Sequence, residues 1–169
     1  MRNIIFTSAI AITASMASAQ EGPPLGCYAR EYSQAHLQAH PKQVARSLTM
    51  MIHDQTHGEF TNRFAYLVVD FANQGHVKRD GHGAQRLDQS LICWENGDGL
   101  TGCSVECDGG AFSVTKETDS TITIATQTLW MGDTEGCGGA IDLAEVPGRT
   151  VKYRLNKVDM AVCLATVEN

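Results

Sequence analysis

The amino-acid sequence predicts a small, mainly β fold: an antiparallel barrel or sandwich, held together by disulfide bonds, with one short helix near its start. Three observations predict it: several short segments in which apolar and polar residues alternate, turns rich in Gly and Asp between those segments, and six cysteines in 169 residues. Alternation with a period of two is typical of a strand that buries one face. Many short strands joined by tight turns are typical of barrels and sandwiches.

The short helix is predicted over Ser33–His40. Ser33 is suited to cap its first turn, because a serine hydroxyl can accept a hydrogen bond from an otherwise unpaired backbone N–H. Pro41 disfavours helical geometry at the residue before it, so the helix is expected to end at His40.

Two strands are predicted after this helix. Leu48, Met50 and Ile52 alternate with their neighbours in the pattern of a half-buried strand. The segment Phe64–Phe71 is rich in β-branched and aromatic residues and is expected to be covered on both faces. The turn between the two strands is assigned to Asp54–Glu59.

The C-terminal half is predicted to be a meander of short strands. An Asp-Gly pair at 108–109 is a hairpin signature, because tight hairpin turns need positive φ. The strands predicted after it are Phe112–Thr115, Ile122–Thr126, Val151–Leu155 and Val158–Leu164, with the last two joined by a turn at 156–157.

The start of the chain has three features of a secretory signal peptide. Arg2 supplies a positive charge, an apolar and small-residue segment covers Ile4–Ile12, and an Ala-Ser-Ala triplet ends at Ala19. The apolar segment is shorter than the roughly 20 residues that a transmembrane helix needs. We therefore expect Met1–Ala19 to be removed near Ala19, leaving a single β-rich domain over residues 20–169 that is soluble and either periplasmic or secreted.

The cysteines all lie in the predicted mature part, and an even number in an exported domain indicates disulfide bonds. The sequence does not choose between the possible pairings. A metal site on the Cys103-x-x-x-Cys107 spacing is the alternative, but a zinc site would need a second close pair of ligands. The predicted disulfide cysteines are Cys27, Cys93, Cys103, Cys107, Cys137 and Cys163.

The charge balance limits the partners that can be expected. The formal net charge of the whole chain is −6, and removal of Arg2 with the signal peptide makes the predicted domain one unit more acidic. Nucleic acids and anionic membranes select basic proteins, so neither is an expected partner and no membrane insertion is expected. A basic exported protein or a small ligand suits an acidic surface better.

Two connections, Asn73–Gln89 and Gly132–Thr150, are longer than a turn requires. Long loops on a β scaffold are either functional or flexible. The first loop concentrates basic groups that could bind a carboxylate or phosphate, although an ordinary solvated loop can have the same composition. The candidate binding residues of the two loops are His76, Lys78, Arg79, Asp80, His82, Arg86, Asp133 and Glu135.

No catalytic residue, metal site or cofactor is predicted. His36 with His40, or His76 with Asp80 and His82, could chelate a metal ion, but neither set matches a known signature. The acidic pairs at 133 and 135 and at 106 and 108 could form a glycosidase couple, yet acids beside glycines are usually solvated turn residues. The chain has no Gly-x-Ser-x-Gly nucleophile elbow.

Trp94 and Trp130 stand at predicted strand ends, where they either pack at the core and its rim or line a ligand cavity. The predicted architecture is similar, as a class, to small exported β-barrels of the lipocalin and lysozyme-inhibitor kind. The chain carries no motif of those proteins that would transfer functional residues to it.

Three functions fit these observations. The first is an exported, non-catalytic binding module that uses the two long loops, in its sharpest form an acidic inhibitor or partner of a basic cell-envelope protein such as a cell-wall hydrolase. The second is a small periplasmic hydrolase or metal-dependent enzyme that uses His76, Asp80 and His82. The third is a structural protein of the cell envelope. The lack of catalytic signatures favours the first.

Overall fold

The computed structural model describes residues 22–132, 134 and 139–167. The predicted signal peptide and three residues singled out above, Asp133, Glu135 and Cys137, lie outside this part of the chain. None of the helices within it is long and apolar enough to cross a membrane.

Strands dominate the described residues. In chain order the elements are β1 (Gly26–Glu31), α1 (Gln34–Ala39), β2 (Ala45–His57), β3 (Phe60–Phe71), α2 (Gly75–Arg79), β4 (Arg86–Glu95), β5 (Thr101–Ser104), β6 (Gly110–Thr118), β7 (Thr121–Met131), β8 (Ile141–Asp142), β9 (Val151–Val158) and α3 (Met160–Val167).

Eight of these strands form a closed antiparallel barrel. β1 to β6 follow one another around it as a meander, each hydrogen-bonded to the next. β6 pairs with β7, β7 with β9 and β9 with β1, which closes the sheet on itself. The two-residue strand β8 pairs with the end of β7 outside this circuit. The predicted mainly β fold is confirmed, and of its two alternatives, barrel and sandwich, the structure is the barrel, in which closure pairs both edges of the sheet.

Apolar side chains fill the barrel interior. Leu48, Met50 and Ile52 of β2 are each at most 1% exposed, as the alternation predicted. Burying a side chain of this size contributes about 1.5–3 kcal/mol, so the packed interior is the main source of stability. The described inward side chains therefore pack together as a core. The other core side chains on strands with at most 2% exposure are Tyr28, Ala45, Ala65, Leu67, Val69, Phe71, Leu91, Cys103, Phe112, Ile122, Ile124, Leu129, Met131, Tyr153 and Leu155.

Both tryptophans pack on the outside of the barrel. Trp94 lies opposite Gly102 of β5, and its indole fills the space that a side chain at position 102 would need. Trp130 is 36% exposed and packs beside Gly139. Of the two roles predicted for the tryptophans, packing and lining a ligand cavity, the structure supports packing.

The helix predicted at Ser33 is confirmed. The Ser33 Oγ accepts the His36 N–H at 3.2 Å, and α1 ends one residue before His40. A second, five-residue helix, α2, lies inside the connection that was predicted as a loop between β3 and β4.

The prediction of a final hairpin is wrong. Residues 156–157 do not turn but continue β9, and the segment that follows forms α3 instead of a strand. Two local features explain the helix. The Asp159 Oδ1 accepts the Ala161 N–H at 2.8 Å and so caps the first turn. Met, Ala and Leu, which are strong helix formers, supply much of the segment.

Two disulfides are formed between cysteines whose pairing could not be predicted from the sequence. Cys27 of β1 is bonded to Cys163 of α3, 136 residues away, which fastens the helix to the outside of the barrel. Cys93 and Cys103 lie directly opposite each other on β4 and β5. Cys107 is also disulfide-bonded. No cysteine among the described residues is a free thiol, and this confirms the disulfide interpretation for them.

Candidate binding surfaces

The barrel has two different ends. The helix end carries α1, α2 and the connection between β7 and β9, and the hairpin end carries the β2–β3, β4–β5 and β6–β7 turns together with residues 22–25. Because neighbouring strands are antiparallel, these turns gather at one end. Both long loops singled out in the sequence start from the helix end, so the fold brings them to the same side of the barrel.

His76 connects the two long loops. Its Nε2 donates a 2.9 Å hydrogen bond to the backbone oxygen of Asp142, and its side chain is only 8% exposed. The Nδ1 atom is buried and has no hydrogen-bond partner among the described residues. His76 thus links α2 to β8 through a buried hydrogen bond.

The remaining candidates of the first loop are exposed or paired with near neighbours. Arg79 binds Asp80 through two hydrogen bonds of 2.9 and 3.1 Å, and these bonds lower the pKa of the Asp80 carboxyl. The His82 Nδ1 lies 3.1 Å from the Gln85 Oε1. Lys78 is exposed on α2. Within the described residues, no three acidic, histidine or cysteine side chains form a metal-binding group.

Arg86 stands apart from that loop. It opens β4 on the outer wall of the barrel, and its Nη2 donates a 2.8 Å hydrogen bond to the Thr166 backbone oxygen of α3. The structure therefore separates the predicted set into the buried His76, the exposed stretch around Arg79 and Asp80, and Arg86 on the wall. Asp133 and Glu135 lie outside the described residues.

Three stacked rings cover part of the helix end. Tyr32 stacks on His36 at 4.9 Å between ring centroids, and His36 stacks on His40 at 4.1 Å. The His40 Nδ1 donates to the His36 backbone oxygen at 2.8 Å, and the His36 Nε2 lies 2.9 Å from the Gln43 Oε1. The helical spacing predicted that both imidazoles share a face, and they do.

Glu145 lies near this stack and is half-buried. Burial raises the pKa of its carboxyl, and the imidazoles of His40 and His36 partly oppose that rise. The folded protein therefore binds the glutamate proton more tightly than the unfolded chain does. Stability then falls as the pH rises from the ordinary glutamate pKa to the raised one.

We expect Glu145→Gln to raise stability at neutral pH, because glutamine imitates the protonated carboxyl and removes the cost of burying the charge. The difference from the unmodified protein should shrink below about pH 4, where the carboxyl is protonated in both states. Urea unfolding at pH 7 and pH 4 measures this difference in the free energy of unfolding. Glu106→Gln, at an exposed position of the same end, is the control. A loss of stability at pH 7 would show instead that the charge forms a net favourable pair with the imidazoles.

The hairpin end carries a feature that the sequence analysis missed. The predicted turn at Asp54–Glu59 is mostly strand, and β2 and β3 continue as a two-stranded arm over Asp54–Arg63. Pairing with β1 stops at Ile52 and pairing with β4 stops at Phe64. The four residue pairs beyond those points have no neighbouring strand, so the arm projects about 14 Å at 3.4 Å per residue.

The base of this arm is braced. Arg63 binds both carboxylate oxygens of Asp54, at 2.7 and 3.1 Å, and its Nη1 donates to the Pro23 backbone oxygen at 2.9 Å. The hydrogen bonds from Arg63 lower the pKa of the Asp54 carboxyl. Further out, the hydroxyls of Thr56 and Thr61 are 3.0 Å apart across the two strands. These contacts restrain the base and the middle of the arm.

Phe60 lies at the tip of the arm and is 75% exposed. It begins β3 directly after the turn at Gly58 and pairs with His57 of β2. Every residue from Asp54 to Asn62 is exposed. Single exposed apolar side chains are common on protein surfaces, but aromatic residues are enriched at the centres of protein interfaces.

Acidic side chains surround the arm. The described part of the hairpin end carries seven carboxylate residues against three basic ones, and all seven acids are exposed. Since the net charge of the whole chain is −6, much of its acidity is concentrated here. The acids are Asp54, Glu59, Glu95, Asp98, Glu117, Asp119 and Asp159, and the bases are Arg63, Lys116 and Lys157.

Comparisons with protein-family models, with curated proteins and with solved structures found no significant match to this chain in any of the three.

Proposed function

We propose that this protein is an exported, non-catalytic binding module that engages a basic protein of the cell envelope through its hairpin end. The observation that supports it most is the braced arm, which presents Phe60 from the middle of an acidic surface. The features of a signal peptide and the disulfides support export to an oxidising compartment.

A protein partner is favoured over a small ligand because the barrel is filled. Small molecules usually bind in concave pockets, and the interior of this barrel is occupied by side chains with 0–2% exposure. The arm is convex and narrow, so it would bury most of its surface in a cleft. Because the contacts of Arg63 already order the base of the arm, less conformational entropy is lost on binding.

A basic partner is favoured by charge. Complementary charge raises the association rate and excludes acidic competitors, while an aromatic anchor supplies much of the affinity. A cell-wall hydrolase with a basic active-site cleft meets both requirements, and the arm would then act as an inhibitor. The hydrolase alternative for this protein has less support, because His76 is buried and Asp80 is paired with Arg79.

The proposal is tested with a purified basic cell-wall hydrolase as the probe. We expect binding that weakens with salt, inhibition of wall lysis, and a loss of at least about tenfold in affinity for Phe60→Ala, which removes an aromatic anchor. Trp130→Ala, an exposed aromatic at the other end, is the matched control and should leave binding unchanged.

Charge reversal provides a second measurement. Glu59→Lys with Asp98→Lys should slow association and reduce the salt dependence, whereas Glu106→Lys at the helix end should change neither. Absence of binding to basic hydrolases, or binding that none of the hairpin-end changes affects, would overturn the proposal.

A further inference from the structure

Helix α3 is apolar on every side yet lies on the outside of the barrel. Its eight residues include no charged side chain, and Cys163 is the member that is buried. Met160, Val162, Leu164 and Val167 are 40–52% exposed. A helix that is apolar all round normally lies inside a protein or an assembly, so a further surface is expected to cover α3.

A groove beside α3 extends this surface. It has a volume of about 390 Å³ and runs along the outer faces of β1 and β2. Val162 of α3 forms part of its wall, while Glu31 and Asp70 supply carboxylates and Ser47 a hydroxyl. The apolar helix is thus continuous with a polar depression, which resembles the apolar centre and polar rim of protein interfaces.

Among the described residues, an acidic side chain lies beside the first turn of α3 and a basic one lies beside its last turn. Asp159 stands at its N-terminal end, and Arg86 is bound to the Thr166 backbone oxygen at its C-terminal end. If two copies of α3 pack antiparallel about a twofold axis, Arg86 of each copy faces Asp159 of the other. Ala161 and Ala165, four residues apart and both exposed, allow the two helices to approach closely.

We propose that α3 and the adjoining groove form the interface of a symmetric dimer of this chain, with the two α3 helices antiparallel. The charge pattern matches itself under a twofold operation, as an interface between identical subunits requires. An eight-residue helix is only about 12 Å long, so α3 alone supplies less than the roughly 800 Å² per partner of a standard interface. The groove walls would have to supply the remaining area, so we expect a weak dimer.

This interface lies on the barrel wall and leaves the hairpin arm exposed. It shares Asp159 with the acidic surface of the hairpin end but does not rest on the proposed function, and a dimer would present two arms. The Cys27–Cys163 disulfide holds α3 in place, so little ordering is lost when the two copies meet.

Sedimentation velocity over a wide range of protein concentration tests the proposal. The unmodified protein should shift from monomer to dimer in roughly the micromolar range. Leu164→Glu places a charge in the centre of the interface and should weaken dimerisation by about tenfold or more. Leu100→Glu, a comparably exposed leucine at the hairpin end, is the matched control and should dimerise like the unmodified protein.

Every outcome of these measurements either supports or overturns the proposed dimer. A protein that stays monomeric at the highest concentration overturns the proposal, as does a dimer that Leu164→Glu leaves intact or that Leu100→Glu abolishes. Circular dichroism of both variants tests whether they are folded, which separates a loss of dimer from unfolding.

Discussion

Gly110→Ala is expected to prevent the barrel from closing. Gly110 begins β6 with a φ of +82°, and a Cβ at this position would overlap the Thr128 backbone oxygen of β7. Since the obstacle is backbone, it can move only if β6 and β7 separate. That pair is one of the contacts that close the sheet. We expect a loss above about 4 kcal/mol in the free energy of unfolding, beyond the usual range of point substitutions.

Gly81→Ala is the matched control for this substitution. Its φ is +86°, almost the same as that of Gly110, but nothing lies within 4 Å of the added Cβ. It should cost only the strain of placing alanine in the left-handed region, about 1–2 kcal/mol. Urea unfolding of both variants separates the steric part from the dihedral part. Equal losses would mean that the approach of Thr128 does not restrict position 110.

Removal of the Cys27–Cys163 disulfide should have the second largest effect. The bond links residues 136 apart, and a cross-link of that span restricts the unfolded chain by about 4–5 kcal/mol in the loop-entropy model. We expect Cys27→Ala with Cys163→Ala to lose stability of that order and to release α3. Urea unfolding measures the loss of stability, and limited proteolysis near residues 159–167 measures the release of α3.

The Cys93–Cys103 disulfide offers the comparison. It spans only 10 residues, so its loop-entropy contribution is about 3 kcal/mol or less. Cys93→Ala with Cys103→Ala should therefore cost less in unfolding free energy, apart from the small cavity left at the buried Cys103. A larger loss for the short cross-link would show that packing rather than chain entropy dominates both.

The barrel could be predicted from sequence because its signals are local. The alternation of Leu48, Met50 and Ile52 needs only that one face be buried, and the Ser33 cap needs only its own helix. The prediction of a strand over Val158–Leu164 was wrong for a physical reason. A short apolar run fits a strand or a buried helix equally well, and the contacts that decide are the Asp159 cap and the bond to Cys27.

The binding surfaces were harder to predict than the core. The arm at Asp54–Arg63 has no apolar alternation, because neither of its faces packs on a core, and its polar residues look like an ordinary turn. Gly58 and the neighbouring polar residues located the chain reversal, but Asp54–His57 of the predicted turn are strand, because the length of the arm depends on where β1 and β4 stop pairing. The burial of His76 likewise depends on Asp142, 66 residues away.

The pairing of β1 with both β2 and β9 also limits how fast the molecule can reach its final state. Cys27 of β1 lies opposite Val158, so the first strand stays unpaired on one side until the ninth has been synthesised. Contacts of such long sequence separation form slowly, because the intervening chain must first be closed into a loop. A nascent chain with this topology remains open for most of its synthesis. If the chain is exported as we propose, it could therefore enter a translocation pore, which admits unfolded polypeptide, before the barrel closes.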